Sequence, residues 1–146
     1  MVLIKVLVKR SKVIHAGNKS ELLKHLIKYS ENSVGVIDED PYSVQPPLMN
    51  MFKQHATFTN YGIKILTQEN KRNVLVILMP RLEEWVIESA KEVRVDLNEY
   101  GLPKEPILFH EIVNTKLDNF KKLVEYLVKT KSSRIVALKN YLLRKQ

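Results

Sequence analysis

The stretch "VGVIDEDPYS", residues 34–43, ends an apolar run in Asp38, Glu39 and Asp40, although the chain carries a formal net charge of +8. Carboxylates crowded this closely repel one another unless a cation or hydrogen-bond donors hold them. Two chemistries account for them. Asp38 and Asp40, at i and i+2 leaving a strand, form a D-x-D whose hard oxygen ligands suit Mg²⁺ or Mn²⁺. Alternatively the acids open a turn, for which Asp before Pro41 is a common starter.

A second set of candidates lies in "HAGNKSE", residues 15–21. A glycine between a strand and a helix exposes backbone N–H groups to an anion, which makes Gly17, Lys19 and Lys24 candidate phosphate contacts. His15 is a candidate ligand or general base, although a lone His beside Gly is more often structural. One glycine supplies neither the dinucleotide-binding spacing nor the Walker pattern. His25, His55 and His110 make no i, i+4 metal pair, and no G-x-S-x-G elbow is present. With no cysteine there is no disulfide or thiolate chemistry, so any metal must take oxygen or imidazole ligands. In "PRLEEW", Glu83 and Glu84 stand in the first turn of a predicted helix, where the macrodipole favours negative charge. Trp85 reads as core.

The elements that must position these groups alternate. Strands are predicted over 2–8 and 11–17, a helix from Asn18 to about Tyr29, and a strand over 33–38. A short helix over 48–54 precedes strands at 62–67 and 73–79, which the polar turn "QENKRN" separates. Pro80 then opens a helix over 81–91. Thr115 with Asp118 reads as a capping box for a helix to about Lys129, with Leu117, Phe120, Val124 and Leu127 inward; a last helix starts at Ser133. This order predicts one α/β domain over 1–146, three-layered and Rossmann-like, with a largely parallel central sheet. In such sheets ligands bind beyond the carboxyl ends of strands. That rule places the 38–40 acids and the Pro80–Glu84 segment on one rim.

Charge is unevenly placed. Residues 1–29 hold seven Lys/Arg against one Glu, residues 112–146 hold nine against two acids, and residues 30–111 hold eight against thirteen. Basic ends around an acidic centre suit a nucleic acid or nucleotide held near a carboxylate-bound metal; lysine-rich helices with solvated faces give the same pattern. No apolar run is long enough for a membrane span, no secretory leader is expected, and the lack of cysteine fits a cytoplasmic location.

A strand, a glycine turn, a helix and an apolar strand ending in D-x-D together resemble the Toprim domain of topoisomerases, primases and overcoming-lysogenization-defect-type nucleases. "LEEW" followed by "EYGLP" looks like a family of small archaeal and bacterial Toprim-like proteins. The resemblance covers roughly residues 11–103. It implies that Asp38 and Asp40 carry the divalent metal and that Glu83 joins them. The catalytic Glu of the family's Glu-Gly dipeptide is replaced here by Ala16 before Gly17, with His15 or Glu21 as off-position substitutes. Positioned acid–base groups typically contribute about 10²–10⁴-fold, so the implied phosphodiester chemistry is weak or lost.

Two functions are therefore expected. One is a Toprim-like domain that binds Mg²⁺ or Mn²⁺ and a nucleic-acid or nucleotide phosphate. The other is a non-catalytic interaction or homo-oligomerisation module, using the Leu48, Met49, Met51 and Phe52 segment or the last helix.

Overall fold

The computed structural model describes residues 2–8, 13–14 and 17–143. In chain order the elements are α1 (Val2–Leu7), α2 (Lys19–Tyr29), β1 (Val34–Asp38), β2 (Lys53–Phe58), β3 (Ile63–Gln68), β4 (Asn73–Leu78), α3 (Leu82–Glu92), α4 (Pro106–Ile112), α5 (Leu117–Lys129) and α6 (Ser133–Leu142). They fall into two compact units: Ile14–Arg81 forms a sheet unit, and Met1–Val13 with Leu82–Arg144 forms a helical unit.

The sheet has four strands in the order β1-β4-β3-β2. Only β1 and β4 run parallel; β4–β3 and β3–β2 are antiparallel. The expected largely parallel, Toprim/Rossmann-like sheet is thus replaced by a small mixed one. The reason is loop length. A parallel neighbour needs a crossover of a dozen or more residues, whereas β2–β3 and β3–β4 are joined by tight links that permit only hairpins. Each link is a 3₁₀ turn, Thr59–Tyr61 or Glu69–Lys71, closed by a left-handed residue, Gly62 or Arg72.

One face of the sheet is covered by α2. Leu23 and Leu26 pack with Ile37, Phe52, Leu66, Leu75 and Ile77, and Leu48 and Met49 pack against this cluster from the side. Gly35 lets the helix approach: a Cβ there would lie 3.0 Å from a Leu22 methyl and 3.1 Å from a Leu26 methyl. Asn18 caps α2, its side chain accepting the Glu21 N–H at 2.9 Å. At the other end Asn73 is buried, and its amide nitrogen reaches the carbonyls of Leu26 and Ser30 and the Gln68 side chain. Its oxygen accepts the Ser33 N–H at 3.0 Å. A strand residue therefore closes the end of the helix that covers the sheet.

In the helical unit α3 buries Trp85, Val86, Ile87, Ser89 and Ala90, and α5 buries Phe120, Leu123, Val124 and Leu127. Leu117, expected inward, is 46% exposed, and Leu123 takes the inward place instead. The Thr115 hydroxyl donates to the Ile112 carbonyl, so it does not cap α5. The predicted first strand is the helix α1, with Leu3, Ile4, Val6 and Leu7 buried. A short, almost wholly apolar run has no period with which to choose between the two states. The predicted strand over 11–17 lies mostly outside the described residues. Among the described residues no helix is long and apolar enough to cross a membrane.

Candidate functional site at the acidic turn

The acids leave β1 in a turn that is bonded at nearly every group. The Glu39 N–H donates to the Leu78 carbonyl at 2.9 Å, extending the parallel ladder by one step, and the Asp40 N–H donates to Pro80 at 2.8 Å. Asp40 adopts φ +46, the left-handed region that Asp enters more readily than most residues. Its carbonyl accepts the Ser43 N–H at 3.1 Å and the Ser43 hydroxyl at 2.9 Å. The Gln45 amide donates to the carbonyls of Glu39 and Asp40 at 3.1 and 3.2 Å.

The charges are met as well. Lys64 Nζ lies 3.2 Å from the Glu39 carboxylate, and Arg81 Nε lies 3.3 Å from that of Asp40. Arg81 also stands over the Tyr42 ring, 5.9 Å from its centroid. Lys19 Nζ donates to the Glu39 carbonyl and the Gln45 side-chain oxygen, both at 3.1 Å. Partly exposed ion pairs of this kind contribute about 0–1 kcal/mol each. Together with the backbone bonds they hold the turn. Among the described residues no group of three or more His, Asp and Glu side chains is placed to hold one. The Asp40 carboxylate faces Arg81 and that of Glu39 faces Lys64.

Asp38 ends β1 opposite Leu78. Glu83 belongs to the helical unit, where it is buried and accepts the Nδ1–H of His110 at 2.8 Å. That bond satisfies the carboxylate in its buried setting. Gly17 has φ +80, and the Glu21 carboxylate folds back over it into the space a Cβ would occupy. Lys24 is exposed five residues beyond Lys19, about 140° round the helix, so α2 does not bring the two together. His15 lies outside the described residues.

Lys64, Gln45 and Arg81 organise the turn, and none was singled out from the sequence. Lys64 carries a signal, being the one charge between buried Ile63 and Ile65. Gln45 carries none. No protein-family model matches the chain, and neither does any curated protein or solved structure.

Proposed function

We propose that the chain is a non-catalytic interaction module that docks a protein partner through the loop at 41–46. The observation carrying this reading is the presentation of Tyr42 and Val44, which are 90% and 95% exposed on that loop. Gln45 and Lys19 hold the loop's base, and Pro41, Pro46 and Pro47 restrict its backbone. Side chains held ready in this way lose little freedom on binding, and Tyr beside Arg is a frequent anchor pair at interfaces. An apolar cleft on the partner is the complement of a Tyr-x-Val projection. Of the segment expected from the sequence to serve as the surface, Phe52 is buried and Leu48 and Met49 pack on the core, while Met51 is exposed.

The test compares wild type with the Tyr42→Ser/Val44→Ser double variant. A protein recovered with wild type is purified and titrated directly against both. At least about tenfold weaker binding by the variant is expected for an anchor residue. Equal binding, or a partner that fails to bind once purified, would overturn the reading.

A second reading, a Toprim-like phosphate-binding domain, draws on Lys19. Its ammonium is held by two neutral oxygens at the N-terminal end of α2, whereas Lys64 and Arg81 face carboxylates. Titration of Mn²⁺, with and without a short single-stranded oligonucleotide, into wild type and Asp38→Ala/Asp40→Ala separates the two readings. Binding lost in the double variant supports this one, and no binding to wild type sinks it.

A further inference from the structure

The acidic turn borders the place where the chain leaves the sheet unit. Arg81 ends the sheet unit's run from Ile14, and Leu82 opens α3. Each residue between β4 and that exit is tied back to the sheet unit. The Leu78 carbonyl accepts from Glu39, the Met79 N–H donates to Gly62 at 2.8 Å, and the Pro80 carbonyl accepts from Asp40. The Arg81 guanidinium meets the Asp40 carboxylate and the Tyr42 ring. Asp40 thus touches the exit segment twice, once through its backbone and once through its side chain.

We infer that the acidic turn is an electrostatic clamp on this exit segment, with Asp40 holding Arg81 so that the chain is fixed to the sheet unit as far as Arg81. The identity of residue 40 argues for this role. A left-handed φ of +46 would suit glycine with no steric cost, and glycine would serve the turn alone at least as well. Aspartate accepts the strained region and adds what glycine lacks, a carboxylate aimed at Arg81.

The test is amide exchange on the full chain in Asp40→Asn, because Asn also tolerates the left-handed region and keeps the turn while removing the charge. The amide of residue 40, protected by the Pro80 carbonyl, should exchange about two- to fivefold faster, in line with an ion pair worth up to about 1 kcal/mol. Backbone relaxation at Arg81 should report a looser segment, while Val36 and Val76 in the sheet stay unchanged. Raised salt should give the same acceleration in wild type and none in the variant. Arg81→Gln, which leaves the turn's own sequence intact, should reproduce the effect and serves if Asp40→Asn does not fold. Unchanged exchange at low salt would overturn the inference. So would an equal rise across β1 and β4, which would make the ion pair a general stabiliser.

Discussion

The Glu92 carboxylate, at the last residue of α3, accepts both the backbone N–H and the hydroxyl of Ser133, the first residue of α6. Its other oxygen lies 3.3 Å from Arg134 Nε. One helix thereby caps the next, supplying at the N-terminus of α6 the acceptor that Ser132 at its own N-cap position does not.

Removing that cap should cost stability. Glu92→Ala is expected to destabilise the chain by about 1–2 kcal/mol, the range of a lost N-cap plus a half-buried ion pair. Glu92→Gln, which keeps an acceptor oxygen, should lose less. Urea denaturation monitored by Trp85 fluorescence measures both, and equal losses would show that charge rather than capping matters.

Asn73 holds the sheet unit's buried polar junction. Asn73→Ala leaves the Ser33 N–H and the Leu26 and Ser30 carbonyls without that partner, a loss of about 1–3 kcal/mol. Asn73→Asp should be worse, because it points a carboxylate at the acceptor oxygens that the amide now satisfies. The checking measurement is the thermal midpoint of the three proteins at neutral pH.

Gly35→Ala pits two effects against each other. Restricting the unfolded chain favours alanine by about 0.4–1 kcal/mol. The new methyl, however, meets Leu22, Leu26 and Leu75 at 3.0, 3.1 and 3.3 Å. Overpacking of this kind costs about 1–3 kcal/mol, so a net destabilisation is expected. Pairing the change with Leu22→Ala should recover part of it, and a variant as stable as wild type would show that α2 shifts freely.

Tyr100 gives the chain an alkaline limit. Desolvation, reinforced by Tyr126 and then by Glu99, raises its pKa above the ordinary tyrosine value. The folded state therefore keeps the proton after the unfolded state has released it. The stability this contributes is present below about pH 10 and declines as pH climbs towards the raised folded value. A tyrosinate absorbance titration should lose a component above the ordinary tyrosine value in Tyr100→Phe, whose urea midpoint should also fall less steeply at alkaline pH.

Much of this was written in the residues, and one clue was read without being used. Asn18 with Glu21 marks the start of α2, and the apolar run of β4 marks a strand buried at every position. The short "QENKRN" link already forbade a parallel neighbour between its flanking strands. β2 was hidden because "KQHATF" is an exposed edge strand whose side chains face solvent and show no apolar alternation. α4 was missed although Pro106 stands at its first position, because only Phe109 is buried along it. The acids at 38–40 were visible as a turn or a cation site. The partners at that turn, Lys64 and Arg81, come from distant sequence and from the hairpin arrangement of the strands.

The mixed sheet also dictates an order of assembly. Gln68 pairs with Asn73 and Phe58 with Ile63, each across a five-residue separation, whereas Val34 must find Val74 across forty. Closing the larger loop costs more chain entropy, and only a formed β4 offers β1 a template. The meander β2–β3–β4 is therefore expected to form first and β1 to join it last, carrying the acidic residues to its rim. Substitutions in the 69–72 turn should slow folding, while those in β1 should chiefly quicken unfolding, a division that stopped-flow kinetics would reveal.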